Sequence, residues 1–142
     1  MVKEPVPKDP SEHHESPPDW SAEFFQVRRH GEVAVIVPTA QIEHLAETLL
    51  QPAAQMVLEP LRRDPPEHIV VDLSNVSYFG SSFITFLLRC YEIVKPRGSE
   101  LVLAGVKADS PIRELLHTTA LDMLWAIYDT PQEALTALRS SY

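Results

Sequence analysis

Cysteine is nearly absent from this chain. Cys90 is the single one, so no internal disulfide can form, which fits a reducing compartment. Cations are scarce as well: 12 Lys and Arg face 20 Asp and Glu. The resulting charge of −8 argues against sequence-independent nucleic-acid binding, which needs a cationic surface to displace counterions from phosphates. No apolar run approaches the roughly 20 residues of a membrane-spanning helix. The opening stretch MVKEPVPKDPSEHHESPPDW lacks the apolar core of a signal peptide, so the expected compartment is the cytoplasm, without membrane insertion. There is no internal repeat.

The sequence does have enough apolar residues for one core. At 142 residues and 44% apolar composition, a single domain can form without metals or disulfides. Residues 1–21 are expected to be a disordered, Pro-rich acidic leader. Five of the 13 prolines fall there, among charged and polar residues that bury too little apolar surface to offset the entropy of ordering. His13 and His14 lie in this leader with no third ligand nearby, and no metal or cofactor is expected. Trp20 borders it, as a docking residue or a first core contact.

Residues 22–142 read as the folded domain. FFQVR, a turn at His30 and Gly31, and VAVIV ending at Pro38 predict a hairpin. Apolar residues recur at helical spacing from Ile42 to Leu61, interrupted by Pro52 and Pro60, which predicts one broken helix or two short ones. After Asp64, Pro65 and Pro66, the continuous run HIVVDL has the character of a buried parallel strand at the sheet centre. A helix is expected from Ser81 to Lys95, ended by Pro96 and Gly98, and ELVLAGV follows as another buried strand. Ser110 and Pro111 open a short helix through His117, WAIYD is a brief strand, and Thr130, Pro131 and Glu133 form a capping box for a closing helix. The order predicts an α/β fold: a mixed, mainly parallel sheet of about five strands with about four helices.

In such folds the carboxyl ends of strands and the amino ends of helices converge on one edge, where ligands and modifications usually sit. The segment from Val70 to Val106 places Ser81 and Ser82 there. An N-cap serine satisfies free backbone N–H groups, and a phosphate at that spot meets the positive end of the helix dipole. Thr85, Arg89 and Glu92 form one polar stripe in line with Ser81, and the rest of that helix is apolar. Its apolar arc is wider than one sheet face needs. Neighbouring helices cover the excess, or Phe83 and Phe86 in the first turns help form a partner-facing patch. Asp72 either tunes the loop near Ser81 or caps its own turn. Cys90 reads as a small buried hydrophobe, and Trp125 as a residue packed under the last helix.

The ordered pattern resembles the STAS family of anti-sigma factor antagonists. Its parts are a strand ending DLS, a loop, an aromatic, two serines opening an apolar helix, KxxG and a second buried strand, and the similarity covers roughly residues 24–140. Downstream, SPIRELLHTTALDMLWAIYDTPQEAL resembles the family's helix, its "gLd" turn and its terminal strand and helix. The resemblance implies a non-enzymatic module that binds an anti-sigma factor or Ser/Thr kinase of histidine-kinase-like fold, as a monomer or weak dimer. It also implies switching by phosphorylation of the first serine of an Asp-Ser-Ser or Asp-Ser-Thr motif, which is Ser81 here, with Ser82 second. The partner-binding residues expected are Phe79, Gly80, Ser81, Ser82, Phe83, Thr85 and Phe86, with Asp72 beside them. Gly80 stands where the family usually has Asp, and Phe83 where it usually has Gly. PTAQIEHL replaces the family's acidic turn after the second strand, and the first helical region is longer than typical.

Three alternatives lie outside that reading. A STAS subunit of a signalling scaffold or lipid-transport complex would need no phosphoswitch. A nucleotide-binding module would use the same edge, yet GSSF supplies one glycine and no P-loop lysine. A serine hydrolase needs a G-x-S-x-G elbow with a histidine base, and YFGSSF is not that motif.

Overall fold

A computed structural model describes residues 22–140. The expectations for the leader, including His13, His14 and Trp20, lie outside the described residues. Strands β1 (Phe25–His30) and β2 (Val33–Pro38) pair antiparallel through the turn at Gly31 and Glu32. Strands β3 (His68–Asp72) and β4 (Leu101–Ala104) then add in parallel, giving the order β1-β2-β3-β4. The expected fifth strand, WAIYD, contributes a single parallel bridge, Leu103 to Ile127. Two bonds hold it: Leu103 N–H donates to the Ala126 carbonyl, and Tyr128 N–H donates to the Leu103 carbonyl, each at 2.9 Å. This bridge leaves β3 in the middle.

Both faces of the parallel strands are buried, so their side chains alternate between two apolar layers. Ile69, Val71, Leu101 and Leu103 face helices α1 (Glu47–Arg63), α2 (Ser81–Val94) and α3 (Pro111–Thr118), which supply Leu58, Leu61, Phe86, Leu87 and Leu116 to that layer. Val70, Val102 and Ala104 face the other way, against Ala134 and Leu138 of helix α4 (Pro131–Ser140). Trp125 is in the first layer, edge-on to Tyr91 of α2 with ring centroids 5.8 Å apart. That corrects the expectation that it packs under the last helix, which covers the opposite face.

Helix α1 is unbroken, contrary to the expectation of a break at Pro52 or Pro60. A short 3₁₀ turn, Ala40–His44, precedes it. An interior proline costs roughly 3 kcal/mol in an isolated helix. Here six buried side chains, Leu50, Ala53, Ala54, Val57, Leu58 and Leu61, anchor the helix to the sheet on both sides of Pro52. Both prolines lie on the exposed face, where water can satisfy the freed carbonyls. Tertiary packing therefore overrides local propensity.

The caps of α3 and α4 form as the sequence indicates. Ser110 Oγ accepts the Arg113 N–H at 3.2 Å, and Thr130 Oγ1 accepts the Glu133 N–H at 3.1 Å. Ser110→Ala should lower unfolding free energy in urea by about 1 kcal/mol, the usual worth of an N-cap oxygen. A loss below about 0.3 kcal/mol would show that the Pro111 start alone fixes the helix.

Candidate functional site

The carboxyl edge of the sheet gathers the loop from Leu73 to Gly80, the first turn of α2 and the first turn of α1. Asp72 opens this loop with an Asx turn. Its Oδ1 accepts the Ser74 N–H at 3.0 Å and the Ser74 hydroxyl at 2.5 Å. It thus caps its own turn, the structural one of the two roles considered for it. The chain then descends into the core at Val76 and Phe79, and Val76 N–H donates to the Leu73 carbonyl at 3.0 Å.

Gly80 is the N-cap of α2. The cap expected at Ser81 is therefore one residue earlier, because Phe83 N–H and Ile84 N–H both reach the Gly80 carbonyl at 3.2 Å. Ser81 is the first residue of the helix and is exposed, with its own carbonyl accepting the Thr85 hydroxyl at 3.2 Å. Ser82, half-buried, donates its hydroxyl to Glu47 Oε1, while Gln51 Nε2 reaches the Ser82 carbonyl at 3.5 Å. The two serines are thus in different environments despite being adjacent.

Phe79, Phe83 and Phe86 are core residues, which corrects the expected exposure of the first turns of α2. They are 6%, 2% and 0% exposed, so none presents a face to a partner. Their rings stack as a ladder: Phe79 to Phe83 at 5.3 Å, Phe83 to Phe86 at 5.5 Å, and Phe86 to Phe25 of β1 at 4.8 Å between centroids. The excess apolar arc of α2 is thereby covered by α1 and β1, and the ladder forms a rigid floor beneath Ser81 and Ser82. On the loop, α1 and α2 the large apolar side chains that face solvent are Tyr78, Leu49 and Leu88, and elsewhere among the described residues Val27, Met123 and Leu124 are exposed as well.

Glu43 and Glu47 are the residues that sequence reasoning missed. Glu43, in the 3₁₀ turn, takes the Ser77 N–H at 2.6 Å and the Ser77 hydroxyl at 3.0 Å on Oε2. Glu47, in the first turn of α1, takes the Ser82 hydroxyl. A Cβ at position 80 would lie 2.8 Å from Glu47 Oε2, so glycine leaves the room this carboxylate fills. Among the described residues neither acid forms an ion pair. The signal was present: the rule that placed Ser81 on the carboxyl edge applies equally to the β2-to-α1 connection.

The cleft between these acids and Phe79, Gly80 and Phe83 measures about 80 Å³. That is well under the roughly 300–1,000 Å³ of a small-molecule pocket, and it gives the Ser81 side of the edge a nearly closed surface. Beyond Ser77 the same edge has an open cleft of about 400 Å³, lined by Ser74, Lys107, Ser110 and Thr130 among others. Cys90 is on the fully buried face of α2. Burial pushes its thiol well above the ordinary range, with Arg62 opposing by a smaller amount, so no thiolate is available there. Of the histidines, His68 accepts the Glu100 N–H at 3.0 Å at the amino end of β3, and His117 pairs with Asp122 at 2.9 Å at the end of α3.

The comparisons with known proteins agree with this geometry. The chain is 26% identical over 114 residues to the anti-sigma F factor antagonist of Paenibacillus polymyxa, covering 80% of this chain and 93% of that protein. Among solved structures, an anti-sigma-factor antagonist (STAS) domain protein from Planctomyces limnophilus is 32% identical with a TM-score of 0.68, covering 81% and 97% of the two chains. An anti-sigma factor antagonist from Mycobacterium paratuberculosis is 26% identical with a TM-score of 0.66, covering 81% and 92%. Among the described residues no helix is long and apolar enough to cross a membrane. The family model for the STAS domain matches residues 24–134, and the chain belongs to that family.

Proposed function

We propose that this protein is an anti-sigma factor antagonist whose edge around residues 78–88 docks on an anti-sigma factor, and that phosphate on Ser81 releases it. The observation that carries the reading is Ser81 itself: an exposed hydroxyl on the first turn of a helix, held over a fully packed floor of three phenylalanines. A protein surface recognises such an edge as a preformed shape, with little ordering cost on binding. Tyr78, Leu49 and Leu88 supply its apolar contacts, and Ser81, Thr85 and Arg89 its polar ones. Phe79, Phe83 and Phe86 act from beneath, by holding the turn in place.

The partner is a Ser/Thr kinase of histidine-kinase-like fold. In the switching step the Ser81 Oγ–phosphorus bond forms and the β,γ-bridging P–O bond of a nucleoside triphosphate breaks. The nucleoside diphosphate leaves and the hydroxyl proton is released. The product meets the free N–H groups of the first turn of α2, which stabilise it in the free protein. In the complex it brings about −1.5 to −2 charge into a surface that must lose its water, so docking weakens.

The test of the switch is to incubate the protein with ATP and each purified histidine-kinase-like anti-sigma factor of its own genome, then to map phosphate by mass spectrometry. Phosphate on Ser81, absent from Ser81→Ala, is the expected result. A protein that binds but is never modified would leave a docking module with no phosphoswitch and remove that half of the reading.

A further inference from the structure

We propose that Glu47 selects between the two serines: its carboxylate holds the Ser82 hydroxyl and excludes negative charge from Ser82, leaving Ser81 as the position that takes a phosphate with the edge intact. This rests on the reading of Ser81 as acceptor given above and adds the residue that makes it so. Ser82 Oγ donates to Glu47 Oε1, and esterifying that oxygen with phosphate would remove the donor and set a second anion against the carboxylate. The other oxygen, Oε2, lies over Gly80, where the absence of a Cβ leaves room for it.

Glu43 repeats the arrangement within the loop by holding Ser77, so the segment is tied to acids outside it at Ser77 and at Ser82. Among the described residues no cation pairs with either acid. Ser81 is exposed, and the bond seen for it among the described residues is the one its carbonyl accepts from the Thr85 hydroxyl. Added charge at Ser81 therefore meets water and the positive end of α2, whereas added charge at Ser82 replaces the donor bonded to Glu47.

The experiment compares Ser81→Asp and Ser82→Asp by thermal melting, each in the wild-type and Glu47→Gln backgrounds. Ser81→Asp should melt within about 2 °C of its parent in both, the usual range of a surface change. Ser82→Asp should fall clearly lower with Glu47 present, and Glu47→Gln should restore at least half of that loss. Glutamine keeps the size of the side chain and removes its charge, so the rescue reports relief of the carboxylate pair and not a change in packing. Equal melting of the two Asp variants, or no rescue, overturns the proposal. As a second reading from milder changes, Ser82→Ala, Glu47→Ala and their combination should shift melting non-additively, since each removes the same bond; strict additivity overturns it too. Neither measurement involves a partner, so a docking reading that fails in binding assays leaves these results to stand or fall by themselves.

Discussion

Gly105→Ala is expected to cost about 2–5 kcal/mol, from the left-handed backbone and from hydrogen bonds broken to make room. Gly105 follows β4 with φ +74°, and a built Cβ would sit 2.2 Å from Ser74 Oγ, 2.3 Å from Asp72 Oδ1 and 2.8 Å from Ser74 N. All three atoms belong to the Asx turn that starts the loop to Ser81. The methyl group cannot be accommodated by moving one flexible tip, because the backbone nitrogen is among the atoms it meets. Urea unfolding should show the loss, and amide exchange should accelerate from Leu73 to Gly80, since the turn is the first point of that loop. A variant within about 0.5 kcal/mol of wild type, the ordinary range for a surface change, would mean the turn is not held as described.

Phe86→Ala is the second large expected effect, about 3–5 kcal/mol for emptying a fully buried aromatic site. Phe86 links α2 to β1 through Phe25 and continues the ladder to Phe83, so its loss also removes two ring pairs. For a domain whose total stability is about 5–15 kcal/mol, such a variant is near unfolding at 37 °C. Its value lies in the comparison with Phe86→Leu, which keeps most of the volume. If Phe86 acts from beneath, Phe86→Leu should fold and should bind a partner nearly as well as wild type. A folded Phe86→Leu protein that has lost binding would place this ring in the interface, against its burial.

Much of the fold was legible in the sequence because its signals are local. HIVVDL and ELVLAGV are continuous apolar runs that only a strand buried on both faces requires, and Ser110 and Thr130 are caps whose bonds span three residues. The features that were not legible depend on distant partners. Ser81 looked like the cap of α2 because serine outranks glycine at that position in general. Here Glu47, 35 residues from Ser82, takes the Ser82 hydroxyl and fills the space over position 80, and glycine is what fits. The unbroken α1 and the side of the sheet that Trp125 joins likewise follow from packing, which periodicity alone does not specify. The carboxyl edge, with Ser81 and Ser82 at the start of α2, was legible. Its division of labour was not: the phenylalanines support it, and two acids from the neighbouring connection hold its loop.

That division bears on the departure at Gly80. An acid is present beside the serine pair after all, supplied by α1 and not by the chain position next to Ser81. The edge thus keeps a carboxylate, an exposed serine and a rigid floor, on which the proposed docking and its proposed switch rest.

The most direct test of this account is a calorimetric titration of the protein, Ser81→Ala and Ser81→Asp into the purified anti-sigma factors of its own genome. The account predicts one anti-sigma factor bound by wild type and Ser81→Ala with similar affinity, and at least about tenfold more weakly by Ser81→Asp, the effect of roughly 1.4 kcal/mol of lost binding. Equal affinity for all three proteins, or no binding to any anti-sigma factor by a folded wild type, would contradict it.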